Sequence, residues 1–106
     1  MNTIKIMNEY LHSPIWVYNS DGIVSKYKLI DEDTVLTLLG NQAMEMYSSY
    51  YKFNFNGVAC FFDQEKEKQT SKKMLEIINK IISRLNEIND GSFVIEDYET
   101  DYLNNL

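Results

Sequence analysis

Apolar residues recur along 64–89 with a helical period. Met74, Ile78, Ile81, Leu85 and Ile88 fall at spacings of four, three, four and three, and Leu75, Ile77 and Ile82 widen the stripe. Lys72, Lys73, Glu76, Lys80 and Arg84 occupy the opposite side. A pattern of this kind buries one face of a helix and leaves the other in water. Asp63 suits the start as an acceptor for free backbone N–H groups, and Asn89-Asp90-Gly91 suits the end, since glycine tolerates a left-handed backbone. The spacing therefore predicts one long helix over 64–89.

A second stripe, Val35, Leu39, Ala43, Met46 and Tyr50, broadened by Leu36, Met44 and Tyr47, predicts a helix over 32–50. Asp31-Glu32-Asp33 suits the positive end of its dipole. Gly40 is an internal cost of about 1 kcal/mol in that helix. A competing pattern ends the helix at Gly40 and alternates along Tyr47, Ser49, Tyr51, Phe53 and Phe55 as a strand, so 44–51 stays open between the two.

Strand signals fill the remaining segments. Ile15 to Tyr18 is dense in β-branched and aromatic residues, Asn19-Ser20-Asp21-Gly22 supplies a tight turn, and Ile23 to Leu29 alternates as a return strand. Lys52–Phe55 and Val58–Phe62 flank Asn56-Gly57, a two-residue hairpin signal. Thr3 to Met7 reads as a short strand or a helical turn, stopped by Ser13-Pro14. Phe93 to Ile95 predicts a short strand, and 97–106 a short helix carrying Tyr98 and Tyr102 on one side. The fold class expected is α+β: a small antiparallel sheet built from hairpins at about 15–29 and 52–62, packed with two main helices at about 32–50 and 64–89, and a short C-terminal strand and helix, in a single domain over 1–106.

Charge alters this picture at one end. The net charge is −6, yet residues 1–90 carry 12 acids and 10 bases, while residues 91–106 carry Glu96, Asp97, Glu99 and Asp101 and no base. An acidic chain of pI near 4.6 is a poor ligand for nucleic acid or an anionic membrane. The acidic segment reads either as a solvated tail or as a docking surface for a basic protein. The single Cys60 permits no internal disulfide and suits a reducing compartment. No signal-peptide pattern and no apolar run long enough for a membrane span occurs, so a cytoplasmic location is expected.

No catalytic constellation is recognisable. His12 has no nucleophile or carboxylate at a familiar spacing, and Cys60 lies in an apolar run where thiols are usually buried and inert. One Cys and one His exclude a structural zinc site, the acids 31–33 lack the glycine and distal glutamate of a calcium loop, and the four glycines are too dispersed for a phosphate loop. No enzyme activity, metal or cofactor is expected. The run Met46 to Phe53 is rich in tyrosine, a side chain enriched at protein interfaces, and Trp16 reads first as a core anchor.

Three runs carry a resemblance: Tyr10-Leu11-His12-Ser13-Pro14-Ile15-Trp16-Val17-Tyr18, Tyr47-Ser48-Ser49-Tyr50-Tyr51, and Arg84-Leu85-Asn86-Glu87-Ile88-Asn89-Asp90-Gly91-Ser92-Phe93. Together they resemble small bacterial immunity proteins, the cognate inhibitors encoded beside polymorphic toxins such as those of contact-dependent growth inhibition systems. The resemblance implies a monomer or weak dimer that binds a toxin's C-terminal domain. A nuclease toxin is basic because it holds phosphates, and an acidic inhibitor is steered to it by charge. On this expectation Glu96, Asp97, Glu99 and Asp101, with Asp31, Glu32 and Asp33, face basic toxin residues, and Tyr47, Tyr50 and Tyr51 supply apolar anchors. The competing expectation is a small acidic adaptor that binds its partner through the Tyr-rich helix.

Overall fold

A computed structural model describes residues 1–53 and 60–106. In chain order the elements are β1 (Asn2–Ile6), β2 (Ile15–Asn19), β3 (Gly22–Ile23), α1 (Lys28–Asp31), α2 (Thr34–Ser48), β4 (Tyr51–Lys52), β5 (Phe61–Phe62), α3 (Gln64–Gln69), α4 (Ser71–Ile88), β6 (Phe93–Asp97) and α5 (Thr100–Asn104). The fold is α+β. A four-stranded sheet runs in the order β3-β2-β1-β6, and β4 and β5 form a separate two-stranded ribbon. The larger sheet is mixed rather than antiparallel. β2 pairs antiparallel with both β1 and β3, but β6 returns parallel to β1, with Ile4 beside Ile95. A parallel neighbour needs a long crossover, and here α2, α3 and α4 all lie within it.

The sheet alternates as a half-buried sheet must. Ile4, Ile6, Val17 and Phe93 are buried on one face, against Leu36 and Ala43 of α2 and Met74, Ile77, Ile78, Ile81 and Leu85 of α4. The α4 stripe is the one its periodicity predicts. That helix does not run unbroken from 64, however. Asp63 caps α3 by accepting from the Lys66 N–H at 3.0 Å, and Thr70 interrupts the run. The Thr70 hydroxyl bonds both the Lys66 carbonyl, at 2.9 Å, and the Tyr50 hydroxyl, at 2.6 Å, and its backbone leaves helical geometry. Hydroxyl back-bonding of this kind bends helices.

Helix α2 runs through Ser48, which decides 44–48 for helix, while Tyr51 and Lys52 are extended as β4 and Phe55 of the competing strand lies outside the described residues. Its buried residues are Leu36, Gly40 and Ala43, with Tyr50 buried just beyond its end; Leu36, Ala43 and Tyr50 belong to the expected stripe, while Val35 is exposed and Gly40 is buried. A Cβ there would lie 2.7 Å from the Ser13 hydroxyl oxygen, so the helix meets the loop ahead of β2 at the glycine. Gly40 is a close-approach position, not a tolerated flaw.

Two local expectations change. The return strand of the 15–29 hairpin ends at Ile23, because the Asp31 carboxylate accepts the Tyr27 N–H at 2.8 Å and closes the turn of α1. Cys60 is exposed instead of buried. The flanks of the 52–62 hairpin do pair, Lys52 with Phe61, while its Asn56-Gly57 turn lies outside the described residues. The acidic C-terminal segment is no solvated tail, since Phe93 and Leu103 anchor β6 and α5 in the core.

Candidate functional site: an open aromatic sheet face with an acidic edge

With one face of the sheet against the helices, the residues between the buried positions must point outward. Registers place Tyr18, Thr3 and Val94 in one row and Trp16, Lys5 and Glu96 in the next, with Ile23 beside Tyr18. None of these side chains is buried, and Ile23 and Val94 are exposed. Trp16 is held in place: its indole N–H donates to the Met7 carbonyl at 2.9 Å, and His12 stacks on it with ring centroids 3.7 Å apart. The Lys5 ammonium lies 4.5 Å from the Tyr18 ring centroid. Tyr98 donates from its hydroxyl to Glu96 at 2.8 Å, which raises the phenol's pKa, with some desolvation adding to the effect. The face thus offers rigid aromatic area bordered by charge, the composition of a protein-binding surface.

Negative charge gathers at the β6 edge. The ion pairs among the described residues are Lys28–Glu32, Arg84–Asp33 and Arg84–Glu87, so the carboxylates of Asp90, Glu96, Asp97, Glu99 and Asp101 have no cation in contact. Their duties differ. Glu96 and Asp101 are exposed, with only the Tyr98 bond on Glu96. Asp97 caps the turn into α5, accepting the N–H groups of Glu99 at 2.9 Å and Thr100 at 3.1 Å, and the Thr100 hydroxyl. Glu99 is half-buried and accepts the Asn8 N–H at 2.8 Å. Burial pushes its carboxyl above the usual range, opposed by that bond and reinforced by the nearby charges of Glu67 and Asp97.

The other expected residues divide. Asp31 and Glu32 are exposed, but Asp31 is engaged with the Tyr27 N–H and Glu32 lies 4.0 Å from Lys28. Asp33 is taken up structurally. It caps α2 through the Leu36 N–H at 2.9 Å and receives Arg84 Nη2 at 2.7 Å and Nε at 3.0 Å, and the Arg84 hydrogen bond holds its carboxyl below the ordinary value despite desolvation. No bond joins this trio to the C-terminal acids among the described residues. Tyr50 is 1% exposed and no surface anchor. Tyr47 and Tyr51 are half-buried, with their hydroxyls 3.5 Å apart, and burial foremost raises the Tyr47 phenol. Tyr47, Tyr50 and Tyr51, at the end of α2 and the start of β4, therefore build an aromatic cluster with Phe62 instead of a free helix face.

Trp16 and Lys5, which stand in the outward row beside the expected Glu96, are what the sequence reading missed. The signal for Trp16 was available, because Val17 facing inward forces Trp16 and Tyr18 to the other side by the two-residue period of a strand. No group of metal-ligating side chains is assembled among the described residues, and no helix there is long and apolar enough to cross a membrane. Compared with protein-family models, curated proteins and solved structures, the chain matches none.

Proposed function

We propose that this chain is an inhibitor of the immunity type, which binds and neutralises a basic, nuclease-type toxin domain. The observation that carries the reading is the open sheet face, where Trp16 and Tyr98, each held by a hydrogen bond, and Tyr18 border the exposed carboxylates of Glu96 and Asp101, which make no ion pair among the described residues. Aromatic side chains fixed in advance lose little conformational entropy on binding, and uncompensated acids speed encounter with a basic surface and select against acidic ones. Inhibition follows by occlusion: a nuclease cleft built to hold phosphates is covered by carboxylates. The residues assigned to contact are Trp16, Tyr18, Glu96, Tyr98 and Asp101. Asp97 and Glu99 shape the edge that presents them.

The reading expects a toxin gene immediately upstream, and the test is co-expression with the C-terminal domain of the protein encoded there, followed by co-purification and survival of the host. The double variant Glu96→Gln/Asp101→Asn removes two exposed charges without touching a backbone bond. It is expected to slow association at low salt by tenfold or more, with the difference shrinking as salt is added. Failure of the wild-type chain to protect cells or to co-purify refutes the function. An unchanged association rate in the variant refutes the placement of the interface.

A further inference from the structure

Glu67 sits on α3 with 4% of its surface exposed. Its one hydrogen-bond donor among the described residues is the Tyr102 hydroxyl, 2.9 Å from both carboxylate oxygens. A carboxylate offers about four acceptor directions, and a single hydroxyl hydrogen leaves most of them open and the charge unbalanced. No ion pair reaches Glu67 among the described residues, although Lys68 stands at the rim of the same cleft. Burial is the main reason that Tyr50, Glu99 and Tyr102 are each held above their ordinary pKa, Tyr102 at about 12, and proximity to Glu67 adds to all three. Burying an unpaired carboxylate is expensive, and a folded chain of this size has little stability to spare for it.

The surroundings indicate what would balance it. Glu67 forms part of the wall of a cleft of about 400 Å³ between α3 and α5, together with Phe62, Gln64, Lys68, Tyr102 and Leu106. Phe62 and Tyr102 contribute rings to that wall, and cations are attracted to the faces of such rings. A guanidinium is planar, weakly hydrated and able to bond a carboxylate through two N–H groups, so it suits an aromatic cleft with a buried acid better than an ammonium does. We propose that this cleft is a socket for an arginine side chain of the basic partner. The proposal rests on the protein-binding reading above and adds a second point of engagement, on the helical side of the α5 arm.

Titration of the full chain with Nα-acetyl-arginine methylamide, followed by two-dimensional NMR, tests the socket directly. Saturable shifts are expected at Phe62, Glu67 and Tyr102. The neutral isostere Nα-acetyl-citrulline methylamide is expected to bind at least tenfold more weakly, and Nα-acetyl-lysine methylamide to fall between them. Glu67→Gln abolishes the arginine shifts, whereas Tyr102→Phe keeps the carboxylate and retains them. Equal shifts with citrulline, persistence of the shifts in Glu67→Gln, or no shifts at these residues overturns the socket. The citrulline comparison uses the wild-type chain, so it holds even where a variant folds poorly. Loss of the socket with toxin protection intact leaves the inhibitor reading standing, and arginine binding without any toxin partner refutes that reading alone.

Discussion

Asp33 performs two tasks that substitution can separate. Asp33→Asn keeps an oxygen for the Leu36 N–H at 2.9 Å but removes the charge that Arg84 grips at 2.7 and 3.0 Å; Asp33→Ala removes both. The Asp33 side chain is 8% exposed and that of Arg84 31%, so a freed guanidinium regains water and the cost stays below the range for a fully buried pair. A charge-assisted, two-pronged bond of this kind is worth about 1–2 kcal/mol, and loss of a helix cap adds about 1 kcal/mol. The expected order of stability is wild type, Asp33→Asn, Asp33→Ala, spanning about 2–3 kcal/mol in all. Urea unfolding of these variants, with Arg84→Gln and the double variant Asp33→Asn/Arg84→Gln, yields the coupling energy, expected near 1 kcal/mol. pH supplies an independent check. Arg84 holds the Asp33 carboxyl below its ordinary value, so its stabilisation is complete above that value and is lost as pH falls through the native one. The gap between wild type and Asp33→Asn should therefore be constant near neutrality and close below about pH 4. A coupling energy of zero, or a gap that persists into acid, refutes the argument.

Glu99 should behave with the opposite sign. Its carboxyl is raised in the fold, so its ionisation costs stability as pH rises through the native value, and Glu99→Gln, which keeps an acceptor for the Asn8 N–H, should unfold at higher urea than wild type at pH 7 but not in acid. A variant no more stable than wild type at neutral pH would show that Glu99 is adequately solvated. At Gly40, alanine gains about 1 kcal/mol of helix propensity and drives its Cβ into the Ser13 hydroxyl, 2.7 Å away. Gly40→Ala is expected to realise that gain only when combined with Ser13→Ala, and thermal unfolding of the two single variants and the double decides it. Cys60, being exposed, should react with a disulfide reagent in the native state at a rate close to that in urea; strong native protection would contradict its placement.

How much of this was legible in the sequence depended on whether the information was local. The α4 stripe was readable because five buried residues repeat within one segment, and Asp63 was readable as a cap because its target is three residues on. The role of Gly40 in α2 was not, since the contact that calls for a glycine is with Ser13, which lies outside the helix. The β1–β6 pairing joins segments at opposite ends of the chain, and nothing in either strand names its neighbour. The acids of the candidate site were visible as a run, yet their availability was not. Asp33 and Arg84 are 51 positions apart, and Tyr50 and Thr70 are 20 apart, so which polar groups are already engaged is a property of the fold. Trp16 is the exception: the alternation that faces it outward is local, since its neighbour Val17 is the buried one.

The parallel return of β6 also determines how the interface can be mapped. It sets Glu96 beside Lys5, itself beside Trp16, so one outward row draws on three strands from both ends of the chain. The same strand carries Phe93, 2% exposed, and leads to Leu103, 5% exposed, each contributing about 1.5–3 kcal/mol by burial. Removing residues 92–106 would therefore strip the acidic edge, uncover β1 and forfeit several kcal/mol at once, out of a total stability of about 5–15 kcal/mol. Such a truncation is expected to unfold, with broadened amide spectra and lost cooperativity, and on the inhibitor reading to lose protection for that reason. Glu96→Gln/Asp101→Asn should instead slow association with the toxin domain at low salt while leaving the unfolding midpoint unchanged. If the truncated chain instead unfolds cooperatively at the wild-type midpoint, β6 is not integral to the core, and the open sheet face cannot be the fixed surface that the inhibitor reading requires.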